Sequence, residues 1–289
     1  MMKIGANLLE CVINVSEGRD PTSLGELRHA GGDWLIDVHS DPGHHRSVLT
    51  VAGPPEAVED AARAIALATL ATIDIRNHVG AHPRIGALDV VPWVNLDGWP
   101  VGNGPMQPAV GARDRFALWA GATLGLPCFL YGPERSLPEV RRQSWRTLPP
   151  DTGPSVAHPS AGAAAVGARP ILVAYNLWLV KPDVELARDI ARSIRSTQLR
   201  ALGLEVGDAV QVSCNLIDPW SVGPEAAFDA VASRAGIARA ELVGLAPRAV
   251  VERAPRHRWR ELGLDPSTTI EARLEQAGLD GGRFAMHGG

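Results

Sequence analysis

Residues 34–75 read WLIDVHSDPGHHRSVLTVAGPPEAVEDAARAIALATLATIDI. Trp34–Val38 and Ser47–Ala52 are short apolar runs rich in β-branched side chains. The turn-forming segment Ser40–His45 separates them, so they read as two strands. Pro54-Pro55 suits the first turn of a helix. Ala57, Ala61, Ala64, Ile65 and Ala68 then recur at helical spacing, carrying that helix to about Ile75. Upstream, Leu8–Val15 reads as a strand and Pro21–Ala30 as a short helix; downstream, Ala87–Val94 reads as another strand. The order is strand, helix, strand, strand, helix, strand.

Ala109–Leu124, Pro127–Tyr131 and Ser136–Trp145 add a helix, a strand and a helix. Leu148–Ala168, rich in proline, glycine, alanine and serine, reads as a long loop or linker. Beyond it come a strand at Ile171–Leu179, a helix at Val184–Ser196 and strands at Leu199–Leu204 and Ala209–Leu216. A helix at Pro224–Ala235 and a strand at Ala240–Ala246 complete the set. The same order has returned without a repeat in the residues. The predicted fold is α/β (α+β): two similar subdomains, residues 1–168 and 169–289, each a mixed sheet with helices on one face.

The 289 residues are 45% hydrophobic and 21% charged, ample for a buried core. A net charge of -4 argues against a nucleic-acid platform. Lys3 and Lys181 are the only lysines, so 26 of the 28 basic residues are arginine. Codon usage explains most of that excess, and planar, bidentate recognition of carboxylates is the functional alternative at individual sites. The N-terminus meets polar residues too soon for a signal peptide. The apolar stretch Ala61–Ile75 contains Arg63 and Asp74 and is too short to span a bilayer. Cys11, Cys128 and Cys214 are far apart, in apolar runs and without a CxxC pair, as in a reducing compartment. The expected setting is cytoplasmic, with neither membrane nor nucleic acid as partner.

Three segments could carry chemistry. In Gly80–Gly86, GAHPRIG, proline biases His82 towards extended backbone, and glycines flank it between a helix and a strand. A neutral imidazole there can accept a proton, and Arg84 can hold an anion. A histidine that merely caps backbone groups fits the same pattern. In His39-Ser40-Asp41-Pro42-Gly43-His44-His45-Arg46, three histidines and a carboxylate suggest a divalent-metal set, or simply a polar turn. Asp37, at the end of the preceding strand, could orient one of those histidines. In Ser160–Arg169, SAGAAAVGAR, small side chains would let a ligand approach backbone N–H groups while Arg169 supplies charge. The segment is neither a P-loop nor GxGxxG, and a flexible linker is the plainer reading.

Taken in order, ECVINVSEGRD, SVLTVAGPPEAVEDAA, GAHPRIGALDVVPW, FLYG, SLPEVRR, HPSAGAAAVGARPILVAYNLWL, VQVSCNLIDP and ELVGLAPRAVVE resemble the formiminotransferase domain. That domain occurs in formiminotransferase-cyclodeaminases and in stand-alone glutamate formimidoyltransferases. The resemblance covers about residues 8–252. It implies two similar α/β subdomains with folate between them, in a homodimer. It implies transfer of a formimidoyl group from N-formimidoyl-L-glutamate to tetrahydrofolate, the co-substrate, in histidine degradation. No metal is expected, and no cyclodeaminase domain. The family's catalytic histidine falls on His82. Its folate-binding stretch falls on Gly162, Ala163, Ala164, Ala165, Val166, Gly167, Ala168, Arg169, Pro170 and Ile171. Arg46, Arg84 and Arg169 are the arginines inside the matching motifs, and they are the expected carboxylate binders.

Three departures from the family pattern stand out. Many relatives read LDVD where this chain has IDVH, so His39 replaces an acidic residue near the site, and Asp41 is a candidate substitute with Asp37 beside it. Relatives often carry Asn where this chain has His45. The stretch Ser193–Leu202 is also shorter than its counterpart. Two other function classes remain open: a metal-dependent hydrolase built on His39, Asp41, His44 and His45, and a non-catalytic folate-binding relative.

Overall fold

The computed structural model describes residues 8–97 and 105–279. The first seven residues, where the reading of no secretory leader begins, lie outside these. The chain divides into two compact units. The first ends at Pro170 and takes in the described residues after Gln276; the second is Ile171–Gln276.

The first unit runs β1 (Leu9–Val15), α1 (Pro21–Gly31), β2 (Leu35–Asp41), β3 (Arg46–Gly53), α2 (Pro55–Thr72) and β4 (Leu88–Asn95). It continues with α3 (Gln107–Thr123), β5 (Cys128–Tyr131), α4 (Leu137–Gln143) and β6 (Ala164–Ala168). The sheet order is β2-β3-β1-β4-β6-β5. The first four strands are antiparallel neighbours, whereas β6 runs parallel to both β4 and β5. Asp20 caps α1 by accepting the N–H groups of Thr22 and Ser23, with Pro21 in the first turn. Along α2, Val58, Ala61, Ala62, Ile65, Ala66 and Thr69 form the buried stripe.

That stripe packs on one face of the sheet, against Leu9, Cys11, Ile13 and Val15 of β1 and Leu49 and Val51 of β3. Alternation along the strands sends Glu10, Val12 and Asn14 to the opposite face. The register adds Arg46, Val48 and Thr50 of β3 and Asp37, His39 and Asp41 of β2 to that face. On that second face α4 covers one side: Val140 packs with Val90, Phe129, Tyr131, Ala163 and Ala165. The helices of this unit therefore do not all lie on one face, contrary to expectation.

A second correction concerns Leu148–Ala168. It is not wholly a linker, because Ala164–Ala168 forms β6, fully buried between β4 and β5. Its alanines and glycine are small because the sheet is crowded there. A Cβ on Gly167 would come within 2.0 Å of the Tyr131 ring.

The second unit runs β7 (Val173–Leu179), α5 (Val184–Ile194), β8 (Leu199–Val206), β9 (Ala209–Leu216), α6 (Pro224–Ala232) and β10 (Ile237–Val243). The helices α7 (Arg248–Arg253) and α8 (Ile270–Gln276) follow. Its strand order is β10-β7-β9-β8, antiparallel throughout rather than mixed. This matches β4-β1-β3-β2 of the first unit, so both share one split β-α-β topology. Both units have the expected strand-helix-strand-strand-helix-strand order. Among the described residues no helix is long and apolar enough to cross a membrane. All three cysteines are free and buried.

Candidate active site

The site is built where β1 ends and β3 and β4 begin. Asn14 pairs with Val90, but Val15 pairs with Leu88, so a bulge leaves Asp89 as the extra residue. Its side chain is fully buried and meets two arginines from distant parts of the unit. Arg46 Nη1 lies 2.5 Å and Arg141 Nη2 2.8 Å from Asp89 Oδ2, while Ile85 N–H donates to Oδ1 at 2.7 Å. Burial works against ionisation, yet the two guanidiniums and the N–H hold the carboxyl well below the usual carboxylate range. Arg46 also donates to Asn14 Oδ1, from Nε at 3.2 Å and Nη2 at 3.0 Å. One carboxylate faces two guanidiniums, so the cluster keeps an excess positive charge.

Arg141 comes from α4, whose first turn is set by a reciprocal cap. The Glu139 carboxylate accepts both the N–H and the hydroxyl of Ser136. From there Arg141 Nη1 donates to Pro83 O at 2.8 Å. This ties the helix to the residue after His82.

His82 itself is half-buried. Its Nδ1 lies 2.8 Å from Pro83 O. A carbonyl only accepts, so Nδ1 carries the proton and Nε2 keeps its lone pair. Burial first, then the charges of Arg46 and Arg141, push the imidazole down to about 3, with Asp89 opposing. The free protein therefore presents a neutral ring with a defined acceptor nitrogen beside unbalanced positive charge.

The loop that carries His82 is clamped to the β2–β3 hairpin. Arg84 donates to His82 O at 2.9 Å, His44 O at 3.2 Å and His45 O at 3.4 Å. Its Nη1 also lies within 2.6 Å of a His78 ring nitrogen. Burial, with the charges of Arg84 and His45, pushes His78 down to about 4. His45 adopts the left-handed backbone region (φ 49°) and stacks on His78 at 3.9 Å. Its Nδ1 faces Val79 O and its Nε2 faces Glu17 Oε1, each at 3.1 Å. Glu17 Oε1 also accepts the N–H groups of Gly18, Arg19 and Asp20. At the far end of the loop, a Cβ on Gly86 would lie 1.9 Å from Ala163 O, so only glycine lets the loop pass β6.

The sequence-derived candidates divide accordingly. Arg46 and His82 come together around Asp89. Asp37, His39 and Asp41 share the Asn14 face of β2, opposite Thr50, Val48 and Arg46 respectively. Asp41 Oδ1 accepts His44 N–H at 2.8 Å and shapes the turn. Arg84 binds loop carbonyls and His78. His39, Asp41, His44 and His45 do not converge as a ligand set; among the described residues no group of three His, Cys, Asp or Glu side chains could hold a metal ion.

Gly162–Ile171 does not offer a row of open N–H groups. Gly162, Ala163, Ala164 and Arg169 donate to His158, Ile85, Pro127 and Trp93 carbonyls, and residues 165–168 are paired within β6 between β4 and β5. Asn14, Glu17, Asp89 and Arg141 were missed. Asp89 had a signal, an acid inside the apolar run ALDVVP. Arg141 had none, because its partners lie 52 and 58 residues away.

Residues 8–169 match the family described as formiminotransferase domain, N-terminal subdomain. The chain is 32% identical to the glutamate formimidoyltransferase of Thermoplasma acidophilum, covering 94% of this chain and 98% of that one. It is 33% identical to the glutamate formimidoyltransferase of Streptococcus pyogenes, covering 84% and 90%. It is 35% identical to the formimidoyltransferase-cyclodeaminase of Gallus gallus, over 84% of this chain and only 51% of that relative. The chain thus spans about half the length of the bifunctional relative.

Proposed function

The chain belongs to the formiminotransferase family, and from that premise we propose that it moves a formimidoyl group from N-formimidoyl-L-glutamate to tetrahydrofolate in histidine degradation. The folate amine attacks the amidine carbon and a tetrahedral intermediate forms. His82 Nε2 takes the proton released by that amine. It returns the proton to the glutamate nitrogen as the old C–N bond breaks, giving formimidoyl-tetrahydrofolate and glutamate. Holding the two substrates side by side supplies much of the remaining acceleration.

The observation that carries the role of His82 is its Nδ1 contact with Pro83 O, which leaves Nε2 as the acceptor. A base held down to about 3 is weak in the free protein. Both substrates bring carboxylates, and one set against Arg46 and Arg141 cancels the charge that depresses His82. The ring then rises towards the working pH only when substrate is bound. Asp37, His39 and Asp41 line the approach on β2, and Gly162–Ile171 forms the folate side with Arg169 as a carboxylate partner. A cytoplasmic setting and a homodimer belong to the same proposal; the three free, buried cysteines suit the first.

The test is a coupled assay with purified protein, N-formimidoyl-L-glutamate and tetrahydrofolate. Turnover that depends on both substrates is expected. Folate binding without turnover would point instead to a non-catalytic relative.

A further inference from the structure

Glu10 is used by nothing described above. It is the second residue of β1, between Leu9 and Cys11 of the helix-side core, on the face that also carries Asn14 and Arg46. Only 4% of its surface is exposed. Among the described residues its carboxyl has no hydrogen-bond partner and no ion pair, and the opposite charge that reaches it is Arg169. Burial raises it to about 7 against that charge. A second polar group on the same face is also unmatched: Thr50 Oγ1 is buried without a partner. Two unmet polar groups on one stretch of sheet are costly unless something else completes them.

The register shows how they are arranged. Glu10 pairs with Ala52 on one side and Val94 on the other. Arg169 N–H donates to Trp93 O, which brings Arg169 alongside Val94 at the far end of the same row. The next row holds Thr50, Val12, Pro92 and Gly167, with the Tyr131 ring over Gly167. The row beyond holds Val48, Asn14, Val90 and Ala165, beside Arg46 and Asp89. This floor is polar at both ends; between them Asp37 and Thr50 stand at the β2–β3 edge, and Val12, Pro92 and Gly167 are small or apolar. Asn14 lies four residue steps along β1 from Glu10, about 13 Å at about 3.3 Å per residue.

We propose that Glu10 is a substrate-recognition residue whose carboxyl receives a planar pair of N–H donors on one carbon, with the Thr50 hydroxyl beside it. This rests on the transferase reading and deepens it. A carboxyl takes such a pair through both oxygens, as it takes a guanidinium. Two ligands in that reaction carry one: the aminopyrimidinone edge of the pterin and the formimidoyl group of the donor. The transferred group must lie by His82, at the Asn14 end of the floor. Glu10 stands at the other end, where the far edge of a flat ring would reach, so the pterin is the source the spacing favours.

The test is calorimetric binding of tetrahydrofolate and of N-formimidoyl-L-glutamate, each alone, to the wild-type protein and to Glu10→Gln and Thr50→Val. Glu10→Gln should weaken tetrahydrofolate about tenfold to a hundredfold, the worth of a charge-assisted hydrogen bond. It should leave the donor's Kd unchanged, and Thr50→Val should cost less. The melting temperature of ligand-free Glu10→Gln should stay level or rise, because an unmet buried carboxyl is removed, while the shift caused by tetrahydrofolate shrinks. A loss confined to the formimidoyl donor supports the same carboxyl with the other source. Unchanged affinity for both ligands, or a less stable free protein that keeps its full ligand shift, overturns the inference while the transferase reading stands. Wild-type protein that binds both ligands without turnover sinks the transferase reading alone. Wild-type protein that binds neither sinks both.

Discussion

The two units share a strand order, β4-β1-β3-β2 in the first and β10-β7-β9-β8 in the second, yet they treat charge in opposite ways. In the first, Asp89 lies buried between Arg46 and Arg141, with His82 beside them. In the second, Arg258 gathers Glu225, Asp229 and Glu261 near the surface, where solvent screens the pairs. The topology is therefore not what makes a site. The pairs β1–β4 and β7–β10 both carry a bulge, but in the first unit it falls on an acid, Asp89, and α4, β5 and β6 bring in Arg141 and cover one side of the second sheet face.

That contrast can be broken at its strongest point. His82→Ala should cut turnover by about a hundred- to ten-thousand-fold with the fold intact, read by the coupled assay and circular dichroism. Turnover at the wild-type level would remove His82 from the reaction. Next comes Asp89→Asn, which leaves two buried guanidiniums facing one another. It should cost about 3 kcal/mol in urea unfolding, as losing one partner of a buried ion pair does. A variant as stable as the wild type would mean that the charges in this unit are no more consequential than those in the second.

The pH response should separate the units as well. In the folded protein His82 is held down to about 3 and His78 to about 4, against an ordinary value of 6.5. At these two sites the unfolded chain binds more protons than the folded one, so they make stability rise with pH, most steeply from about 3 to about 4.5; above that the carboxyls of Glu10 and Glu271, each raised to about 7, oppose the rise. His82→Ala should flatten part of that rise. An unchanged slope would deny the imidazole its buried, positively flanked environment.

Smaller effects sharpen the picture. His45→Asn removes the contact with Glu17, while Arg84 still holds the loop to the hairpin. Turnover should drop roughly fivefold, the worth of about 1 kcal/mol. A loss as deep as that of His82→Ala would promote His45 from positioning to chemistry. Arg258→Ala, in the second unit, should leave turnover unchanged and the melting temperature nearly so.

Much of the fold was legible from local pattern. The periodicity of α2 and the apolar runs of β1, β3, β4, β7 and β9 appear where the spacing predicts them. β6 was not legible, because AAVGA carries one β-branched residue and otherwise looks like a linker. Its strand character comes from β4 and β5 on either side, and Gly167 answers to the Tyr131 ring. The second sheet's antiparallel pairing, and α4 on the opposite face of the first, were equally out of reach, since neither leaves a periodic mark.

For the site, the sequence alone singled out His82 and Arg46, through a proline-and-glycine context and a family pattern. It also offered His39, Asp41, His44 and His45 as a metal set, which the folded hairpin does not assemble. The partners that define the chemistry belong to the tertiary structure. Asn14, Arg46, Asp89 and Arg141 lie far apart in the chain and meet only because β1, β3, β4 and α4 are adjacent in space. The direction of the His82 shift, its tautomer and the lone carboxyl of Glu10 are likewise decided by burial and by which charges stand near. A sequence records a residue's chemistry and its local geometry, but the charges and the loss of water that tune it come from segments that only the fold brings close.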